Sequence, residues 1–206
     1  MDDIVKQAMA KWPNVPHCHG WLALDARGGW RMRDERAQAQ DLPGDKIANA
    51  TLLGFINRNY MHDDQGRWYF QNGPQRVYVD LEATPYIART DPAQGFLLHT
   101  GEPLPMIDAA WLTDSGQLVL KGGDTVAMLD DRDMAQCLAR LRMDGAAITD
   151  EQLLEWLADQ SPGTKNLTLA LDNNELPVQR IKRDDLAAQF KFAKHPRADG
   201  TSGASN

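Results

Sequence analysis

The sequence predicts an α+β protein: a small antiparallel sheet with helices, followed by a β-roll-like second domain. Three observations carry that prediction. Residues 68–85, WYFQNGPQRVYVDLEATP, set an aromatic run and a β-branched run on either side of Asn72-Gly73. Asn-Gly between two such runs is a strong short-range hairpin signal, because both residues tolerate positive φ. Over residues 46–60, Ile47, Leu52, Phe55, Ile56 and Tyr60 recur at helical spacing. From Phe96 onward, short apolar runs alternate with glycine-containing turns, the rhythm of an antiparallel sheet.

The elements follow in order. Asp2 or Asp3 caps a first helix through Ile4, Val5, Ala8, Met9 and Trp12, which Pro13 ends. Asn14 to His19 is then a loop held extended by its prolines. Residues 20–25 and 30–33 read as paired strands around the turn Asp25–Gly29, and residues 34–45 as loop. After the helix over 46–60, Asp63–Gly66 turns the chain into the strand at Trp68. In the outgoing strand Val77, Val79 and Leu81 take one face, and Arg76, Tyr78, Asp80 and Glu82 the other. A composition shift at Thr90–Gly95 divides a domain at 1–92 from a second at 93–195.

In the second domain, strands are expected over 96–99, 106–112, 117–120 and 125–129, with a helix from Asp130 to about Met143. A capping box at Thr149–Gln152 opens another helix, and Ser161–Gly163 is loop. Residues 167–171 and 176–181 read as a hairpin across Asp172–Glu175, and 183–190 as a short helix. Residues 196–206 are expected as a disordered tail. One device recurs: Asp25…Gly28-Gly29-Trp30, Asp64-Gln65-Gly66-Arg67-Trp68 and Asp114-Ser115-Gly116-Gln117-Leu118 each set an acid and a glycine before an apolar strand.

The totals exclude several functions. A net charge of −7 and a pI near 5.2 argue against nucleic-acid binding, which needs clustered Lys and Arg. No apolar run approaches the ~20 residues that span a membrane, and the N-terminus has no secretory pattern. Cys18 and Cys137 make no disulfide framework, so a soluble cytoplasmic protein is expected. Residues 1–95 carry net −1 and residues 96–206 net −6, so the first half is the better host for an anionic ligand.

Motifs for standard catalysis are missing: there is no Walker A, Gly-x-Gly-x-x-Gly, Cys-x-x-Cys, His-Glu-x-x-His or nucleophile elbow. His17 and His19 would share one side of a strand, but further ligands for a metal are not evident, and no bound metal or cofactor is expected. Cys18 as a nucleophile would need a nearby base, and adjacent side chains on an extended chain point apart. Arg31, Arg33 and Arg76 could clamp a carboxylate or phosphate, or simply pair with Asp80 and Glu82. The six tryptophans read as core by default. Tyr69 points opposite to Trp68 and Phe70, where an aromatic is ligand-like or interface-like.

Binding is therefore favoured over catalysis. The candidate residues are Arg31, Arg33, Tyr69, Arg76 and Tyr78, serving a small ligand or a protein partner, with homo-oligomerisation left open. The alternative is an enzyme with a non-standard site near His17, Cys18, His19, Asp80 and Glu82, which requires His17 or Cys18 to reach a carboxylate.

At Trp12–Pro16, Gly20-Trp21-Leu22, Phe55–Tyr60 and Phe70–Val79, and more loosely at Leu176–Val178 and Arg183–Phe190, the chain resembles an uncharacterised proteobacterial family, chiefly betaproteobacterial. In layout it is distantly similar to another uncharacterised bacterial family, which implies an α+β first domain and a β-roll second domain. Neither resemblance implies an activity or a catalytic residue.

Overall fold

The computed structural model describes residues 1–159, 166–171 and 174–198. The chain divides into two units, one of Met1–Pro85 with the segment from Lys191 onward, the other of Tyr86–Phe190. Both combine helices with a mixed sheet, so the α+β class holds. Among the described residues no helix is long and apolar enough to cross a membrane.

The first unit runs α1 (Asp3–Lys11), β1 (Cys18–Leu24), β2 (Trp30–Met32), α2 (Glu35–Ala39), β3 (Asp45–Lys46), α3 (Ala50–Arg58), β4 (Tyr60–His62), β5 (Trp68–Asn72) and β6 (Gln75–Leu81). Its strands lie in the order β3-β2-β1-β6-β5-β4. The antiparallel pattern expected holds at every pairing but one: β1 and β6 run parallel. Gly20, at φ 79, sits where the β1–β6 register shifts, and this bulge lets Cys18 face Val77 while Leu22 faces Val79.

Val79 and Leu81 are fully buried on the core side with Leu22, Leu24, Trp30, Ile56 and Phe70. α1 contributes only Val5; Ile4 and Trp12 are exposed, as is Trp21 on β1, so three of these apolar residues lie outside the core expected of them. The helix expected over 46–60 begins later, because Asn49 caps it by accepting from Leu52 N at 2.9 Å, while Lys46 pairs in β3. The loop expected at 34–45 contains α2, capped by Asp34 on Ala37 N at 2.7 Å. The central hairpin turns on Gly73-Pro74 rather than Asn72-Gly73, since Asn72 and Gln75 still pair. Gly73 has φ 55, and glycine with positive φ at the first loop position suits a type II′ turn.

The second unit runs β7 (Tyr86–Asp91), β8 (Gly95–Leu98), β9 (Ala109–Thr113), β10 (Leu118–Gly122), β11 (Thr125–Leu129), a 3-10 turn (Asp131–Asp133), α4 (Met134–Leu138), β12 (Leu141–Met143), β13 (Ala146–Ala147), α5 (Asp150–Ala158), β14 (Leu167–Ala170), β15 (Glu175–Ile181), a second 3-10 turn (Arg183–Asp185) and α6 (Leu186–Gln189). The nine strands lie in the order β13-β12-β14-β15-β9-β10-β11-β7-β8, with β7–β11 and β9–β15 parallel. The stretch read as a boundary near residue 92 is the β7–β8 hairpin loop. Asp91 ties it by accepting from Ala93 N and Gln94 N, and β7 belongs to the second sheet.

The helix expected to run to Met143 stops at Leu138, because Leu141–Met143 pairs with both β13 and β14. Asp144-Gly145, at φ 49 and 83, forms the two-residue loop of that hairpin. The capping box at Thr149 and Gln152 is present. The loop expected at Ser161–Gly163, the turn at Asp172-Asn173 and the tail from Asp199 lie outside the described residues.

Candidate functional site

The polar face of the first sheet gathers most of the candidate residues. Register pairs Tyr69 with Tyr78, Gln71 with Arg76, Ala23 with Asp80, and Ala23 with Arg31, and paired residues share a face. Alternation therefore predicts the facing correctly. It does not predict the cover: Tyr78 is 2% exposed, Asp80 4% and Tyr69 5%, so β6 is buried on both sides.

One end is built around Tyr78. His19 stacks on its ring at 4.6 Å, His17 meets it edge-on at 5.8 Å, Tyr69 at 5.6 Å, and the Arg67 guanidinium lies 5.1 Å from its centre. The Tyr78 hydroxyl donates to Asp63 Oδ2 at 3.2 Å, and Arg67 Nε reaches the same oxygen at 2.8 Å. Asp63 Oδ1 accepts from the backbone of Gln65 and Arg67, both at 3.0 Å. Burial would raise the Asp63 pKa, but the Arg67 contact and these N–H groups hold it below the usual carboxylate value. Arg76 lies over the Tyr69 ring at 4.6 Å. Burial, then the charges of Arg76 and Arg67, push His17 below the ordinary imidazole value.

The other end is built around Asp80. Arg33 Nη1 donates to its Oδ2 at 2.7 Å, and Arg197 Nη1 to its Oδ1 at 2.8 Å, with His195 Nδ1 3.6 Å from Oδ1. Arg33 is 8% exposed and also donates from Nε to Leu42 O and from Nη2 to Asp41. Burial works against the Asp80 charge, yet His195 and Arg197 hold its pKa below the ordinary value. Asp25 accepts from Gly29 N at 2.6 Å and binds Arg31 Nε at 2.8 Å. Between these groups lies a cleft of about 220 Å³, lined by Ala23, Leu24, Leu42, Pro43 and Leu81 with Asp25, Arg31, Arg33, Asp41, Asp80, Glu82 and His195.

The three arginines proposed as one clamp are therefore divided, with Arg31 and Arg33 at the cleft and Arg76 at the aromatic end. The catalytic alternative is divided too. Asp80 is held by Arg33 and Arg197, Glu82 Oε2 accepts from Ala26 N at 3.0 Å, and neither His17 nor Cys18 hydrogen-bonds a carboxylate among the described residues. Among the described residues no group of three or more His, Cys, Asp or Glu is placed to hold a metal ion.

Sequence reasoning missed Asp63, Arg67, His195 and Arg197. Asp63 and Arg67 flank the Asp-Gln-Gly turn, so the repeated device was a usable signal for them. Arg197 had none, since it reaches Asp80 across 117 residues from a stretch read as tail.

Comparison with known proteins gives a family without a described activity. The profile of a family described as "Protein of unknown function (DUF2946)" matches residues 1–197. No curated protein matches. The chain is similar to the crystal structure of a DUF1285 family protein from Silicibacter pomeroyi DSS-3, at 12% identity and TM-score 0.47, over 87% of this chain and 96% of that one.

Proposed function

Since the chain belongs to this family of proteins of unknown function, which offers no activity to transfer, we propose a role from the geometry of the first unit: a non-catalytic binding module that takes a small ligand in the cleft beside Arg31 and Asp80. The cleft itself carries this reading. Apolar walls with a few fixed polar groups are the usual make-up of ligand sites, and about 220 Å³ lies below the ~300 Å³ at which drug-sized pockets begin, so the ligand is small. The lining is held in place beforehand: the Arg33–Asp80 pair is buried and locked by Arg197 and Asp41, so little ordering is left for the binding step.

Charge selects the ligand class. The carboxylates of Asp25, Asp41, Asp80 and Glu82 outnumber the guanidiniums of Arg31 and Arg33, even with Arg197 added, so a neutral or cationic molecule is favoured. Catalysis is disfavoured by the same contacts. A carboxylate held ionised by two arginines is a poor general base, and among the described residues Cys18 has no hydrogen-bonded activating partner. The chain's net charge of −7 goes with a cytoplasmic role away from nucleic acid and anionic membrane surfaces.

The test is a ligand-observed NMR screen of small neutral and cationic metabolites against the wild type and Ala23→Leu. Ala23 lines the cleft on β1 between Asp80 and Arg31, and leucine there fills the space while leaving every ion-pairing residue in the chain. Hits that bind the wild type and are lost in a folded Ala23→Leu support the reading. Hits that bind both equally, or a screen without hits, count against it.

A further inference from the structure

We propose that the aromatic end of the same face, at Arg76 and His17, is a separate site for a phosphate group. It does not depend on the cleft reading. The first observation is one of pairing. Arg31, Arg33, Arg67 and Arg197 each have a carboxylate partner on this face. Arg76 is half-buried and, among the described residues, forms no ion pair; its guanidinium lies on the Tyr69 ring and hydrogen-bonds the Tyr78 side chain instead. Stacking fixes the plane of the guanidinium, and the N–H groups not turned to Tyr78 are left for an oxyanion, an arrangement a lysine could not offer.

The second observation is that Asp63, whose charge Arg76 feels, has its oxygens engaged elsewhere. Asp63 gives one oxygen to Arg67 and the Tyr78 hydroxyl, and the other to two backbone N–H groups. The third is His17, an exposed imidazole edge-on to Tyr78 that feels the positive field of both Arg76 and Arg67. A neutral imidazole donates through one ring nitrogen and gains a second donor when an anion draws a proton onto it. A tetrahedral phosphate has oxygens for both a guanidinium fork and an imidazole, whereas a carboxylate spends both of its oxygens on the fork. The group can be free phosphate or part of a small phosphorylated molecule.

The experiment titrates inorganic phosphate and glycerol 3-phosphate separately at fixed ionic strength. Binding is read by calorimetry in wild type, Arg76→Gln, Arg76→Lys and His17→Gln, and by the His17 imidazole resonances in the first three. A saturable response to both probes identifies free phosphate as sufficient, and saturation with glycerol 3-phosphate alone identifies a carried group; either supports the site. Arg76→Gln is expected to weaken binding about tenfold or more, and Arg76→Lys to recover part of the loss. Should Arg76→Gln fail to fold, His17→Gln carries the same expectation by calorimetry. If neither probe saturates with the wild type, or if the folded variants bind as the wild type does, the proposal is overturned.

Discussion

Gly66 fixes where the C-terminal segment lies, and replacing it with alanine separates two costs that are usually confounded. Gly66 has φ 70, and a Cβ built on it would lie 2.0 Å from Lys191 O, with backbone atoms of Lys191 and Phe192 behind. Its carbonyl accepts from Ala193 N at 2.9 Å. The left-handed backbone alone costs alanine ~1 kcal/mol. The clash is with backbone and cannot be relieved by a rotamer, so the segment must move. That movement gives up the Ala193 bond, worth about 1 kcal/mol, and the burial of Phe192, which is 6% exposed, worth roughly 1.5–3 kcal/mol. The sum is about 3.5–5 kcal/mol. Gly73→Ala is the control in the same unit. Its φ is 55 and its added Cβ meets only Ala8 Cβ, at 3.8 Å, so only the backbone term of ~1 kcal/mol applies.

Urea denaturation of both variants measures the difference, expected to be about 2 kcal/mol or more. Limited trypsin digestion supplies a local readout, because a displaced segment exposes Lys194, which is half-buried. If the two variants lose stability equally and Lys194 is cleaved no faster in Gly66→Ala, the segment is not held in the way described.

Three further outcomes follow from single contacts. Asp80→Asn leaves the buried Arg33 with only the exposed Asp41 as charge partner and should destabilise the first unit by roughly 3 kcal/mol by urea melts; a change under about 1 kcal/mol would mean that the pair contributes little. The depressed pKa of Asp80 sets the sign of the pH dependence: its contribution is present above the ordinary carboxylate value and lost as pH falls through the lower folded value, so stability should drop below about pH 4, with a shallower slope in Asp80→Asn. Cys137 is 1% exposed and burial pushes its thiol up to about 11, so iodoacetamide at neutral pH should modify Cys18 first, as mass spectrometry of a short reaction would show, and early labelling of Cys137 would contradict its burial.

What the sequence makes legible is local. Alternation places Arg76, Tyr78 and Asp80 on one face, and the capping box at Thr149 locates α5, because both signals act over a few residues. What it hides is cover supplied from afar. His17 and His19 reach Tyr78 across about sixty residues and Arg197 reaches Asp80 across 117, so a strand that alternates as if half-exposed is buried on both sides. Two misread elements had local signals that were outweighed. Asn49 offered a cap inside the expected helix, and Asp144-Gly145 is a strong hairpin dipeptide that the apolar run before it disguised as helix.

The repeated hairpin device explains why the arginines of the polar face differ. Asp25, Asp63 and Thr113 each open a loop in which their own N–H bonds the carbonyl four residues on, and their carbonyl accepts from a glycine three residues on, at φ 78, 70 and 77. In all three loops a side-chain oxygen of the opening residue also accepts from the backbone N–H at the fourth position. An aspartate there has a second oxygen to spare, and in both cases it takes an arginine: Asp25 holds Arg31 and Asp63 holds Arg67. The turn that starts a strand thus also supplies the counter-ion for an arginine on it, as with Arg31, or just before it, as with Arg67. β6 starts from Gly73-Pro74, which carries no acid, so its arginine receives no such partner. Arg76 is left to stack on Tyr69, and its lack of an ion-pair partner among the described residues follows from which of two turn chemistries opens its strand.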